Sequence, residues 1–402
     1  MPLLVRALAL VALVVLAAGG TVVGIAFRRV GRVHDLSPPP IARAVDPAEI
    51  ARGGRLFRSA CLGCHAGPDG ERPLGARVEG APAALGEIWA PNLTADPAAG
   101  IGTFSDGDIA RLLRNGLRHD GRYAAAMPRF GRLADQDVAA LIGFLRSGDP
   151  LVAPSSERVP ASRLGLAGTL ILAYAAGVNV HGAQRIPMPP RGPTADYGRY
   201  LASAVYGCID CHTDGYASTE EKLRSPDLLA GSFSLRTPRG EPIHAANLTP
   251  DPQHGTGAYT VEDLSRALLL GVGRGGLPLR PPMPVFRHAD PGEVGALHAY
   301  LRSVPAVIRP APGAPRERPT ADTPPERLFA VLGCATCHGD GAPFRQLLVE
   351  AARTLSVAEL AARTRNPELR RPGTQMPTYA PVLDEPTALR LAEWMKTAFA
   401  KR

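Results

Sequence analysis

From residue 7 to residue 27 the chain reads ALALVALVVLAAGGTVVGIAF without a charged side chain, bounded by Arg6 and by Arg28 and Arg29. At 1.5 Å of rise per residue this run predicts a helix of about 30 Å, one bilayer core. A shorter apolar core ending at Ala17, Ala18, Gly19 and Gly20 has the form of a cleaved signal peptide. The run continues through Val22, Val23, Ile25 and Phe27, which favours an uncleaved anchor. A second uncharged run, residues 164–180, carries three glycines and Asn179 and is marginal for a span. It predicts an apolar linker helix packed between domains or resting on a membrane surface. Elsewhere apolar residues recur at three and four positions, predicting helices over 108–117, 135–146, 263–272, 291–302 and 385–399. The expectation is an all-α protein with minimal sheet.

The pattern is also repetitive. Residues 91–106 read PNLTADPAAGIGTFSD and residues 246–261 read ANLTPDPQHGTGAYTV. In each copy an amphipathic helix, a Met-Pro pair and a closing helix follow, with Phe144 and Tyr300 at matching positions of the closing helices. A third unit keeps the opening motif and the closing helix but lacks the Asn-Leu-Thr loop. Proline-rich stretches at 37–47 and 305–325 read as a spacer and a linker. The predicted divisions are an anchor at 1–36, a spacer at 37–47, domains at 48–150, 191–305 and 323–402, an apolar linker at 151–190 and a proline-rich linker at 306–322.

Cysteine usage brings in the chemistry. All six cysteines of the 402-residue chain fall in three motifs, CLGCH at 61–65, CIDCH at 208–212 and CATCH at 334–338. This is the c-type haem attachment pattern. Cys61, Cys64, Cys208, Cys211, Cys334 and Cys337 would form thioethers to porphyrin, and His65, His212 and His338 would bind iron as proximal ligands. Three covalently bound haems c are expected. What is known of c-type cytochromes implies attachment on the outer side of the membrane, so the body is expected in a periplasm or its equivalent. Attachment on one side only also argues against a crossing at 164–180. Arg28, Arg29 and Arg32 beyond the first helix oppose this orientation on a positive-inside count, and haem attachment overrides them.

A carrier iron needs a second ligand, and thioether sulfur suits reduced iron. Met127, Met283 and Met376 each precede a proline downstream of a haem motif, and proline holds the preceding backbone extended. They are the expected distal ligands, while Met188 and Met395 read as core filler. His119, His244, His254 and His288 could compete, each reading individually as a surface or hydrogen-bonding residue. A His/Met pair predicts a relatively high potential. The matched Asn92 and Asn247, with Phe104 and Tyr259, belong either to loops wrapping the haem edge or to ordinary turns. Basic residues exceed acidic ones, 45 to 37, but haem propionates would offset the surplus and no basic stripe with aromatics occurs, so nucleic acid is not an expected partner.

Residues 48–305, with CxxCH, the NLTxDPxxGxG loop and Met-Pro repeated twice in order, resemble the multihaem cytochrome c subunits of membrane-bound alcohol, gluconate and sorbitol dehydrogenases. The third unit is similar to a short class I cytochrome c, with 38 positions from His338 to Met376 against 62 and 71 in the others. The N-terminal transmembrane helix is read from the first apolar run and departs from the family, which usually has a cleaved signal and a C-terminal membrane-associating segment. The resemblance itself implies three tandem class I cytochrome c domains behind that helix. It implies an electron carrier and not an enzyme: a dehydrogenase or quinol-oxidising complex as donor, an oxidase or reductase as acceptor, and a place at the cytoplasmic membrane. The alternative is a multihaem peroxidase-like oxidoreductase, which needs an open iron position that three methionines would close.

Overall fold

The computed structural model describes residues 2–67, 70–78, 83–124, 127, 130–174, 185–312, 316–320, 322–371 and 374–400. Pro128, within one Met-Pro pair, and residues 175–180 of the second apolar run lie outside them.

Helix dominates. α1 spans Pro2–Val30 and is long and apolar enough to cross a membrane. The first unit contains α2 (Pro47–Ala60), α3 (Asp106–Asn115) and α4 (Asp135–Leu145). A short apolar helix, α5 (Leu166–Tyr174), follows it. The second unit has α6 (Ala195–Tyr200), which continues as a π-turn through Leu201–Val205. α7 (Val261–Ser265), again extended by a π-turn, and α8 (Pro291–Ser303) complete this unit. The third unit has α9 (Pro325–Val331), α10 (Arg345–Thr354), α11 (Val357–Arg365) and α12 (Glu385–Phe399). α10 and α11 have no counterpart among the predicted helices. Each CxxCH motif adds one short helical turn. Sheet among the described residues is confined to three two-stranded antiparallel pairs, Ala76–Arg77 with Trp89–Ala90, Gly86–Glu87 with Arg163–Leu164, and Ser234–Arg236 with Pro242–His244.

Local signals explain the helix starts. Asp46 caps α2 ahead of Pro47, Asp290 caps α8 ahead of Pro291, and α3 and α7 open with the equivalent capping boxes Ser105/Asp108 and Thr260/Asp263. In each of the first two units the helix before the haem motif crosses the closing helix at a glycine. A Cβ at Gly53 would lie 1.9 Å from the Ala140 carbonyl oxygen, and one at Gly198 would lie 1.9 Å from that of Ala296. Only a hydrogen permits so close a crossing.

The first two units share one core, which contains Phe57, Leu141, Phe144, Leu201, Leu297 and Tyr300. At their junction sits a buried ionic cluster built from repeat-equivalent positions. Asp137 and Glu293 are the third residues of the two closing helices, and Arg52 and Tyr197 immediately precede the crossing glycines. Arg52 bonds Asp137 through Nε at 2.5 Å and Nη2 at 2.9 Å, and reaches Glu293 through Nη1 at 2.6 Å. Tyr200 donates to Asp137 at 2.6 Å and Tyr197 donates to Glu293 at 2.8 Å, with Tyr206 on the second Glu293 oxygen.

The third unit has its own core around Leu328, Leu332, Leu383 and Leu391. The proline-rich stretch before it lies against the second unit. Arg309 pairs with Asp227 at 2.8 Å, and Arg316 donates to the Pro278 carbonyl at 2.6 Å.

Candidate functional site

The three motif histidines share one local geometry. His65 Nδ1 donates to the Pro91 carbonyl at 2.7 Å, His212 Nδ1 to that of Ala246 at 2.8 Å, and His338 Nδ1 to that of Phe344 at 2.9 Å. A nitrogen facing a carbonyl must carry the proton, so the lone pair available to a metal is on Nε2 in all three. Burial holds each imidazole below its ordinary pKa and therefore neutral.

The repeated loop explains the acceptors. Pro91 and Ala246 are the residues just before the Asn-Leu-Thr triplet. Asn92 straps its loop by donating to the Ser155 and Glu157 carbonyls, each at 2.9 Å, while its side-chain oxygen accepts from the Thr94 amide at 2.8 Å. Asn247 repeats this with Val307 and Thr249, at 2.8 and 2.9 Å. The asparagine therefore fixes the carbonyl that orients the histidine. The third unit reaches its acceptor within six residues of His338 and manages without the loop. Gly75 and Gly231, both at positive φ, donate their amides back to the carbonyls of His65 and His212, at 2.9 and 2.8 Å. Phe104 lies against the His119 ring at 4.3 Å between centroids, and the Tyr259 carbonyl pairs with His298 Nε2 at 3.0 Å.

A single cavity of about 2220 Å³ runs along all three units. Cys64 lines it from the first, Met283 from the second, and Cys334, Cys337, His338 and Met376 from the third. Cys61 and Cys208 pack at the edge of the shared core, where burial pushes their thiols, like that of Cys334, up to about 12. Cys211 is exposed. Met127 packs against the shared core, and Met395 is buried in the third one. Met188 is half-buried, with Arg191 Nε 3.2 Å from its sulfur. Among the described residues lining the cavity, His338 is the only histidine: His65 and His212 are absent from it, as are His119, His244, His254 and His288.

Haem fits this space. Pockets for one organic ligand measure roughly 300–1,000 Å³, so the cavity has room for more than one such group. Its wall carries eight arginines against four acidic residues, a surplus suited to propionates. Trp89 Nε1 on the same wall is buried without a hydrogen-bond partner among the described residues, a donor suited to an acceptor from outside the protein.

Sequence reasoning missed the link between the second and third methionine loops. Arg287, four residues after Met283, donates to the Met376 carbonyl at 2.8 Å and the Thr374 carbonyl at 3.3 Å. It also donates to Thr378 Oγ1 at 3.2 Å and pairs with Glu368 at 3.2 Å. In return Gln375 accepts from the Val285 amide at 3.0 Å, and the Thr378 amide donates to the Leu270 carbonyl at 2.9 Å. No sequence signal marks Arg287 among so many arginines. The Arg52 cluster, by contrast, was reachable by aligning the two repeats.

Residues 48–145 match the family described as cytochrome C oxidase, cbb3-type, subunit III, so a c-type cytochrome domain occupies that stretch. The chain is 29% identical over 290 residues to the fructose dehydrogenase cytochrome subunit of Gluconobacter japonicus, covering 68% of this chain and 56% of that one. It is 27% identical over 336 residues to the gluconate 2-dehydrogenase cytochrome c subunit of Pantoea cypripedii, covering 76% and 72%. Against the alcohol dehydrogenase (quinone) cytochrome c subunit of Gluconacetobacter polyoxogenes it is 27% identical over 326 residues, covering 73% and 65%. The chain thus spans little more than half of the first of these relatives.

Proposed function

We propose, from a c-type cytochrome domain and a likeness to cytochrome c subunits of dehydrogenases, that this chain is a membrane-anchored electron carrier holding three haems c. Its units are three tandem class I domains at 48–150, 191–305 and 323–402. Cys61, Cys64, Cys208, Cys211, Cys334 and Cys337 tether the porphyrins. His65, His212 and His338 bind iron on one side, and Met127, Met283 and Met376 on the other. Bound haem supplies one-electron iron chemistry.

The protein's part is positioning and electrostatics. Nδ1–H bonds to main-chain carbonyls fix each imidazole and raise its basicity as a ligand. Turns fix the methionines: the Met283 amide donates to the Arg280 carbonyl at 3.1 Å and the Met376 amide to Thr374 Oγ1 at 3.1 Å. The arginines on the cavity wall would balance the propionates of bound haem. The observation that carries this reading is the same histidine-to-carbonyl bond, formed three times by the three CxxCH motifs.

Electrons enter from a membrane-associated dehydrogenase or a quinol-oxidising complex and leave to an oxidase or reductase, with the haem domains in the periplasm and α1 in the membrane. A carrier is favoured over a peroxidase because all three of the relatives compared are cytochrome subunits of dehydrogenases. The test is mass spectrometry of the protein purified from membranes, with a redox titration followed in the sulfur-to-iron band at the red end of the spectrum. Three added haems and a band proportional to three methionine ligands are expected. Fewer haems, three bis-histidine spectra or rapid turnover of hydrogen peroxide would overturn the reading.

A further inference from the structure

Residues 164–184 contain no Asp, Glu, Lys or Arg and are bounded by Arg163 and Arg185. Both borders are tied to the first unit. Arg163 and Leu164 pair with Glu87 and Gly86, while the Ile186 carbonyl accepts from the Asp135 amide at 2.9 Å and its amide donates to Asp135 Oδ1 at 3.3 Å. Both ends of this uncharged stretch are thus held by the first unit.

Within it, α5 is apolar on every side. Gly168, Thr169 and Leu172 are buried, with α1 and the helical turn Ala83–Leu85 as the helix's neighbours, and a Cβ on Gly168 would stand 2.5 Å from the Leu85 carbonyl oxygen. On the opposite side Leu166, Ile171 and Tyr174 are 55%, 45% and 48% exposed. Thr169 Oγ1 donates to the Gly165 carbonyl at 3.0 Å, so its hydroxyl needs no water. A helix apolar all round belongs in a protein core or in lipid.

Its height relative to α1 decides between these. Tyr174 Oη donates to the Val22 carbonyl at 2.8 Å, and the Arg29 guanidinium lies over the Tyr174 ring at 4.9 Å. Val22 is six residues before Arg28, where the uncharged run of α1 ends, which is roughly 9 Å into the apolar slab. Helical side chains lean toward the N-terminus, so Arg29 can reach down to the ring while its backbone stays at the surface.

We infer that α5 enters the lipid bilayer beside α1 and lays Leu166, Ile171 and Tyr174 against acyl chains, giving the chain a second membrane contact that does not cross. The face continues the lipid-facing surface of α1, and that continuity selects lipid as its occupant. The inference rests on α1 spanning the membrane, which is part of the proposed function.

The test places a nitroxide label on the full-length holoprotein in liposomes of phosphatidylcholine and phosphatidylglycerol. Single cysteines are introduced as Ile171→Cys, Leu166→Cys, Val14→Cys in α1 and Tyr216→Cys at a 94% exposed position. The parent is first shown to have no titratable thiol, and each variant is shown to keep the parent's visible spectrum. Collision with oxygen is compared with collision with a water-soluble nickel chelate, each relative to the same label under nitrogen. The expected result is an oxygen-to-nickel ratio at positions 171 and 166 several-fold above that at 216 and close to that at 14. A low ratio at 14 would sink the anchor itself. A high ratio at 14 with positions 171 and 166 matching 216 overturns this inference alone. Shielding of 171 only in a complex purified from native membranes also overturns it, by assigning the face to a protein subunit.

Discussion

Each motif histidine commits its Nδ1 proton to a main-chain carbonyl, and that acceptor cannot be removed by substitution; the asparagine that holds it can. Asn247→Ala removes one donor to the Val307 carbonyl and the acceptor of the Thr249 amide, in a side chain 7% exposed. A buried group left unsatisfied costs about 1–3 kcal/mol. The expected outcome is a loss of that size in the joint transition of the first two units, which share one core, read from urea melts of the haem absorbance, with the third unit's transition unmoved. Met376→Ala tests a ligand directly. It should remove about one third of the sulfur-to-iron absorbance and lower the potential of one haem, because thioether ligation raises it. A redox titration that still resolves three unchanged potentials would exclude Met376 as a ligand.

Secondary-structure elements meet at two kinds of junction with distinct outcomes. Where α2 crosses α4, Gly53→Ala puts a methyl group 1.9 Å from the Ala140 oxygen, and the helices must separate. Haem content of the purified variant should fall from three toward two, measured as absorbance per polypeptide and by intact mass, while the second and third sites stay filled. Between the methionine loops, Arg287 is nearly buried, its side chain 8% exposed, and ties two carbonyls, a hydroxyl and a carboxylate of the third unit to the second. Arg287→Ala should weaken Met376 ligation and reduce the sulfur-to-iron band by up to about a third. Arg287→Lys should not restore it, because a single ammonium cannot replace the guanidinium fork across those acceptors. Both predictions are read in the oxidised visible spectrum.

Across the entire chain, the first two units behave as a fused pair joined through Arg52, Asp137 and Glu293. All three side chains are buried, and one guanidinium serves two carboxylates with three tyrosine hydroxyls. Removing one partner of a buried ionic group leaves the others uncompensated, at about 3–5 kcal/mol. Arg52→Ala should therefore split the joint melting of the first two units into separate, earlier transitions in calorimetry, with the third unit's transition retained.

The proposed haem ligands are a reading of the sequence, to which the fold adds the three histidine-to-carbonyl bonds. Covalent attachment needs two thiols and a histidine within five consecutive residues, and proline restrains the methionine beside it, so short-range order in the chain carries that chemistry. The apolar period likewise gave the closing helices, observed at Asp135–Leu145, Pro291–Ser303 and Glu385–Phe399 against predictions of 135–146, 291–302 and 385–399. What folding alone decided are contacts between residues far apart: Arg52 on Glu293, Arg287 on Met376, Tyr174 on Val22. These depend on which helix faces meet, which is set by packing of complementary surfaces, and an arginine among many has no local signature of the carboxylate or carbonyl it will find.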